Sequence, residues 1–335
     1  MPFFSRDIGI DLGTMYTQVA EGNQILLNEP TIVAILVEEM KMVEWGKAAN
    51  DMYGRVPESI EVSRPLRNGV IADFEITENL LRDVLRRVSG PMGMFKPRVM
   101  ITIPYGVTSV EMRAVHEACL GAGSREVFMI WQPLAAAIGI ELPISTPSGN
   151  MIISLGGGTT QSAILAMNGI VCAETLRGGG LTLDEAIINY LKKKYGLLVG
   201  QPTAEQLKIK IGSAIPISQM GSIEIQGQDQ VSGLPKPLEV KNEDIVEALD
   251  EPLRDIVASI KRVLEKTPPE LLSDIIDRGA ALCGGGAMLR GIDKYLTKSL
   301  GIPAYLVDNP TTCTVEGAVK GINLYPQLRR NLPMG

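Results

Sequence analysis

The chain has 335 residues and a formal net charge of -6, with 45% hydrophobic and 21% charged residues. That length carries two core-bearing units, and that balance is globular rather than disordered. The acidic surplus argues against nucleic acid as a partner, because a phosphate-backbone binder shows a basic stripe.

The four cysteines, Cys119, Cys172, Cys283 and Cys313, are far apart and form no CxxC pair. The single histidine, His116, cannot complete a zinc set, so buried free thiols are expected. His116 falls inside a helical stretch far from any nucleophile motif, which suits a packing or surface residue. The first six residues are too short for a signal peptide, and no run approaches 18 uninterrupted apolar residues. A cytoplasmic location is the expectation.

In chain order, Ile8 to Thr14 alternates and breaks at a Gly-Thr turn, and Thr17 to Ala20 resumes an extended pattern. Ile32 to Val37 reads as a strand. Thr77 to Val88 reads as a helix with Leu80, Leu81, Val84, Leu85 and Val88 on one face. Val99 to Ile103 is an apolar strand. Thr108 then caps a helix with Glu111 completing the capping box, and Gly121 and Gly123 end it. Val127 to Trp131 is a strand, and Pro133 opens a helix.

The second half repeats the plan. Asn150 to Ser154 and Ser162 to Met167 read as strands around a glycine-rich turn, and Asp184 to Tyr195 as a helix. Gln219 to Val240 suggests a small β-rich excursion. A long helix spans about Asn242 to Lys266, with Pro252 restarting or kinking it, until Thr267-Pro268-Pro269 breaks it. Ala280 to Leu282 leads a last strand into Gly284-Gly285-Gly286, followed by a helix from Met288 to Leu300. Strands alternating with helices predict an α/β fold.

Ile10-Asp11-Leu12-Gly13-Thr14 aligns with Ile153-Ser154-Leu155-Gly156-Gly157, so the halves echo one hairpin. Such turns offer successive backbone N–H groups to an anion, and threonine hydroxyls add donors. Two facing hairpins can clamp a polyphosphate. The third loop, Gly284 to Met288, lies between a strand and a helix, whose N-terminus suits a nucleotide. No Gly-Lys-Ser/Thr follows it, and it lacks the dinucleotide fingerprint.

These three loops, in this order, resemble the two phosphate motifs and the adenosine motif of the actin-like ATPases. The finer resemblance is to the MreB family of bacterial actin-like proteins, from Asp7 to about Leu324. It rests on Asp7 to Thr14, Leu27-Asn28-Glu29-Pro30, Arg64 to Phe74, Ala135 to Gly139, Asp184 to Tyr190, Glu265 to Leu271 and Gly284 to Gly291. The resemblance implies an actin-like fold, two related α/β domains each with a smaller inserted subdomain around a nucleotide cleft. Its subdomains would be IA at 1–31, 75–140 and 306–335, IB at 32–74, IIA at 141–180 and 246–305, and IIB at 181–245. It implies head-to-tail filaments, association with lipid at the inner face of the cell membrane, and a role in cell shape. Partners would include RodZ and the wall-synthesis proteins.

The resemblance also implies site residues for ATP or ADP with Mg2+. Thr14, Met15 and Tyr16 match the first phosphate turn, and Gly157, Gly158 and Thr159 the second. Glu205, Gln206, Leu207 and Lys208 match the segment at base and ribose. Gly285, Gly286, Ala287 and Met288 match the adenosine loop. Asp11 matches the acid that holds the metal, usually through water, which suits magnesium's retained waters.

Departures cluster where hydrolysis should occur. The family's Glu-Glu-Pro is Trp131-Gln132-Pro133, its second phosphate loop begins with Ser154 instead of Asp, and Gln161 and Leu181 replace two further acids. Lys210 reverses the charge of the usual Lys-x-Glu. Gln132 can orient a water but cannot take its proton. One outcome is a chain that binds nucleotide and hydrolyses it slowly or not at all. The other is that Gln132 and Asp11 suffice.

Met94 and Phe95, in an apolar loop that begins at Pro91, stand where MreB proteins carry a membrane-insertion loop. Phe3 and Phe4 would add to it, and Lys96 and Arg98 suit anionic lipid. Two other functions share the fold. A small-molecule kinase needs a carboxylate base, and Ser154 and Gln132 hold those positions. A chaperone-type ATPase carries a substrate-binding region after the ATPase domain, whereas the sequence stops at Gly335.

Overall fold

The computed structural model describes residues 6–89, 96–217 and 221–333. Three antiparallel strands open the chain: β1 (Asp7–Leu12), β2 (Tyr16–Glu21) and β3 (Gln24–Pro30). A small layer follows, with β4 (Val33–Leu36), β5 (Lys41–Trp45), α1 (Lys47–Met52) and β6 (Ile60–Ser63). The hairpin β7 (Leu66–Arg67) and β8 (Val70–Ile71) leads to α2 (Phe74–Ser89). Then come β9 (Arg98–Ile103), α3 (Ser109–Gly121), β10 (Glu126–Trp131) and α4 (Gln132–Gly139).

The second half opens on β11 (Asn150–Leu155), β12 (Thr160–Ala166) and β13 (Gly169–Leu176). After α5 (Gly180–Tyr195) come β14 (Leu197–Leu198), α6 (Gln201–Ile211), β15 (Ser222–Asp229) and β16 (Pro235–Lys241). Helices α7 (Asn242–Glu265) and α8 (Pro269–Arg278) precede β17 (Ala280–Cys283). A 3-10 turn (Gly285–Met288), α9 (Ile292–Leu300), β18 (Ala304–Leu306) and α10 (Cys313–Leu328) complete it.

The echo extends to whole sheets. One runs β10-β9-β1-β2-β3 and the other β18-β17-β11-β12-β13. In each, the hairpin strands are antiparallel and the following strands are parallel. A small three-stranded sheet accompanies each half, β5-β4-β6 in one and β14-β15-β16 in the other.

Each half has its own core. Ile8, Ile10, Leu80, Leu81 and Ile101 anchor the first, and Ile153, Ile187, Leu249 and Leu282 the second. A third cluster joins them, drawing Met100 and Ile130 from one sheet, Ile152 and Cys283 from the other, and Leu134 and Ala318 from α4 and α10 between them. Each fully buried Ile, Leu or Met among these contributes about 1.5–3 kcal/mol. Helix α10 seats directly on β1, since a Cβ on Gly9 would meet the Val319 nitrogen at 2.5 Å.

The predicted capping box is present, with the Glu111 amide donating to Thr108 Oγ1 at 3.2 Å and the Thr108 amide to Glu111 Oε2 at 2.7 Å. Helix α7 runs from Asn242 to Glu265, as read, with Pro252 inside it, so the proline does not restart the helix. Two boundaries differ from the sequence reading. Helix α5 begins at Gly180, four residues before Asp184. The helix expected from Met288 starts instead at Ile292, after left-handed Gly291 (φ 72°). Loop Gly284–Met288 therefore runs into a 3-10 turn, and no α-helix N-terminus points from it. All four cysteines are free, and burial pushes the Cys119 thiol up to about 12, with a Ser124 hydrogen bond opposing, so it is inert. His116 is half-buried on α3. Among the described residues no helix is long and apolar enough to cross a membrane.

Candidate nucleotide-binding cleft

Strand β1 ends in a tight turn closed by the Gly13 amide on the Tyr16 carbonyl at 3.0 Å. Strand β11 ends the same way, with the Gly156 amide on the Thr159 carbonyl at 2.8 Å. The fold brings these two turns tip to tip. A Cβ on Gly158 would lie 2.4 Å from Thr14 Oγ1, and one on Gly157 would lie 2.1 Å from Met15 Cγ. Glycine is needed here because no side chain fits between the turns. Tyr16 remains exposed, while Thr14 and Thr159 are buried.

A third turn, absent from the sequence reading of the site, joins them. Asn68 (φ 50°) and Gly69 (φ 81°) form the tip of the β7–β8 hairpin, and the Gly69 amide donates to Thr14 Oγ1 at 2.9 Å. The Asn-Gly dipeptide was its signal, because both central residues of such a hairpin turn take positive φ. The N-terminus of α5 closes the far side, with the Gly180 and Leu181 amides donating to the Gly156 and Gly157 carbonyls at 2.9 Å. These first amides of α5 are engaged by the second turn and brace it.

Asp11 leaves β1 beside these turns. Thr102 Oγ1 donates to Asp11 Oδ1 at 2.5 Å and Gln132 Nε2 at 3.2 Å. Burial pushes the Asp11 carboxyl up, and these two hydrogen bonds oppose it. Gln132 is buried at the first turn of α4, and its carbonyl accepts from Gln161 Nε2 at 2.5 Å. Ser154 lies opposite Gln161 in the β11–β12 hairpin, as Asp11 lies opposite Gln18 in β1–β2. Among the described residues no cluster of three acidic, histidine or cysteine side chains could hold a metal.

Helix α6 carries the segment expected at base and ribose. Glu205 is half-buried and Gln206 is exposed. Leu207 packs in the core of the second half and anchors the helix. Lys208 Nζ lies 2.6 Å from Asp184 Oδ1 and donates to the Gly180 carbonyl at 2.9 Å, behind the second turn. Arg290 donates to the Ile209 carbonyl at 2.9 Å, which ties α6 to the third loop. That loop meets the second hairpin directly, since a Cβ on Gly286 would lie 2.9 Å from Leu155 Cβ. Ala287 is buried and Met288 is exposed.

Behind the turns, a cavity of about 240 Å³ is lined by Asn68, Pro104, Tyr105, Thr175 and Arg177. Arg177 pairs with Glu111 at 3.2 Å, and Thr175 Oγ1 donates to the Tyr105 carbonyl at 2.8 Å. These contacts bind the halves to each other at the rear. Residues 3, 4, 94 and 95 lie outside the described residues. Arg98 does not serve as an extra cation for lipid, because its guanidinium pairs with both oxygens of Asp7, with Nε to Oδ1 at 2.7 Å. Lys96 is exposed.

The arrangement gathers three glycine-containing turns, whose remaining backbone N–H groups can line an anion at their rim rather than between their touching tips. The family model described as MreB/Mbl protein matches residues 5–329. The cell shape-determining protein MreB of Escherichia coli (strain K12) is 43% identical over 327 residues, covering 96% of this chain and 94% of that protein. The cell shape-determining protein Mbl of Bacillus subtilis (strain 168) is 43% identical over 316 residues, covering 94% and 95%. Among solved structures, MreB5 of Spiroplasma citri bound to ADP superposes with a TM-score of 0.92 at 34% identity, covering 98% of this chain and 100% of that one. The MamK double helical filament shares the fold, with a TM-score of 0.79 at 20% identity over 97% and 99% of the chains. The site's two matched hairpins, the doubled sheet and these similarities agree: the chain belongs to the MreB/Mbl family and has its actin-like fold.

Proposed function

We propose that this chain binds ATP or ADP between its two halves and assembles into filaments that act in cell shape at the inner face of the membrane. The carrying observation is the direct apposition of the two phosphate-type turns, Thr14 on Gly158 and Met15 on Gly157. MreB5 of Spiroplasma citri, 34% and 33% identical, is bound to ADP in one solved structure and AMPPNP in another, which supports an adenine nucleotide here. The nucleotide set is Asp11, Thr14 to Tyr16, Gly157 to Thr159, Glu205 to Lys208 and Gly285 to Met288. The four subdomains keep the boundaries implied by resemblance, and the small sheet in each half supports them.

Mg2+ fits this cleft through a single carboxylate. The hydrogen bonds to Asp11 land on Oδ1, so Oδ2 is left to face the waters of a hydrated ion. Bound there, the ion would supply charge neutralisation for the phosphates. Ser154 offers no second carboxylate, and Gln132 cannot accept a proton as an acid residue would. Hydrolysis is therefore slow or absent, and filament turnover is controlled by other means.

The test is phosphate release and pelleting measured together, with ATP and Mg2+, above and below the polymerisation threshold. Nucleotide-dependent pelleting with phosphate release far slower than polymer growth is the expected result. Release that tracks polymer mass would overturn slow hydrolysis, and a solution free of filaments in every nucleotide state would overturn assembly. Val231 and Leu234 at the tip of the β15–β16 hairpin are exposed apolar side chains that support an assembly contact.

Membrane contact rests on Met94, Phe95 and Lys96, with Phe3 and Phe4 as a second short anchor. A Met94→Ser, Phe95→Ser variant is expected to lose most co-sedimentation with anionic vesicles. Undiminished binding would remove the loop from the proposal. RodZ and the wall-synthesis proteins are the proposed partners, on family grounds.

A further inference from the structure

Gln161 carries more than a lost acid. Its carbonyl Oε1 accepts the Tyr105 backbone amide at 2.8 Å. A backbone N–H can only donate, so this contact settles which end of the Gln161 amide faces which way. Its Nε2 must then face Gln132, and donates to Gln132 Oε1 at 2.5 Å and, more weakly, to Thr159 Oγ1 at 3.4 Å. Gln132 in turn presents Nε2 to Asp11 Oδ1 at 3.2 Å. The polarity of the whole relay from Tyr105 to Asp11 follows from one peptide group. Gln132 and Gln161 are both buried, so water competes poorly for these bonds.

The consequence falls on Gln132. A glutamine orients an attacking water through its carbonyl oxygen, which accepts a hydrogen from that water. Here that oxygen is turned toward the Gln161 amide, which takes one of its two lone pairs and fixes its direction, while the Gln132 amide donates to Asp11. An acid at position 161 would accept the Tyr105 amide equally well, but would have no hydrogen to give to Gln132. The pair of glutamines thus does what neither does alone.

We propose that Gln161 is a positioning residue that holds the Gln132 carbonyl and thereby keeps hydrolysis of the bound nucleotide slow. This rests on the nucleotide reading above. Gln161→Met removes the donor at nearly constant shape, and Gln161→Glu removes it while keeping the acceptor for Tyr105. In single-turnover assays with ATP and Mg2+, both variants are expected to hydrolyse roughly tenfold faster or more. Their affinity for a fluorescent ADP analogue should stay within about twofold, a change of under 1 kcal/mol. The double variant Gln132→Met, Gln161→Met should show no gain, because the released carbonyl is gone. Parent-like rates in both single variants at unchanged affinity would overturn the proposal. So would a gain that survives in the double variant, or a change confined to affinity. Failure of the parent chain itself to bind the ADP analogue would overturn the nucleotide reading, and the proposal with it.

Discussion

Replacing Lys208 with methionine is expected to cost about 3–5 kcal/mol of stability at neutral pH, the usual result of stranding one partner of a buried ion pair. The Asp184 side chain is fully buried and its partner ammonium lies 2.6 Å away. Among the described residues one further side-chain bond supports the carboxylate, from Gln201 Nε2 to Oδ2 at 3.1 Å. Burial already pushes the Asp184 carboxyl up, with Lys208 as the main opposing influence. Without the lysine it rises further.

The sign with pH follows from linkage. A carboxyl whose folded value lies above its unfolded value favours the folded state when protonated, and that contribution is lost as pH rises through the folded value. The Lys208→Met variant should therefore regain stability as the solution is acidified below neutrality. Urea unfolding midpoints of parent and variant, at neutral and mildly acidic pH, measure this. Adding Asp184→Asn should recover most of the loss, since no charge remains to strand. A variant as stable as its parent at neutral pH would show that the pair contributes nothing. Lys208→Met also frees the Gly180 carbonyl, so the second glycine-rich turn loses a brace as well as the fold a bond.

Gly317→Ala is expected to be the other severe change, costing about 1–3 kcal/mol or more through overpacking. A Cβ at 317 would lie 1.7 Å from the Ala135 carbonyl oxygen and 2.8 Å from the Gly139 nitrogen. These are backbone atoms, so relief requires moving α4 away from α10. Gln132 begins α4, and its hydrogen bonds to Asp11 and Gln161 would move with it. Thermal unfolding and nucleotide affinity should fall together. Gly321→Ala, one turn later on α10, is the control. Its Cβ would meet side-chain atoms alone, the tip of Ile130 at 3.2 Å and Met100 Cε at 3.6 Å, so it should be near neutral, helped by alanine's better helix propensity. Equal effects at the two positions would remove close backbone packing as the cause.

Helix α10 also shows why parts of the fold escape a sequence reading. Cys313–Leu328 contains Gly317, Gly321 and Pro326, all poor helix residues, which mask the helical spacing of Val315, Ala318, Val319 and Ile322. The glycines are there for neighbours, not for the helix: Gly317 lies against α4 and Gly321 beside Ile130. The start of α5 was read four residues late for a related reason. Gly178-Gly179-Gly180 looks like loop, yet Gly180 begins the helix, and its amide is held by the Gly156 carbonyl from another part of the chain.

The sequence by itself determined the alternation of strands and helices, the Thr108 cap, the doubled hairpin and the three glycine-rich turns. Each depends on residues within a few positions of one another, so composition and spacing carry it. Tertiary structure alone decided what those turns face. Gly158 lies against Thr14, Gln132 reaches Asp11 over 121 positions, and Gln161 reaches Gln132 over 29. It also committed Arg98 to Asp7 and Lys208 to Asp184. A side chain's donors and acceptors are written in the sequence, but which of them are spent depends on packing that joins distant segments, and the chemistry of the cleft lies in what remains unspent.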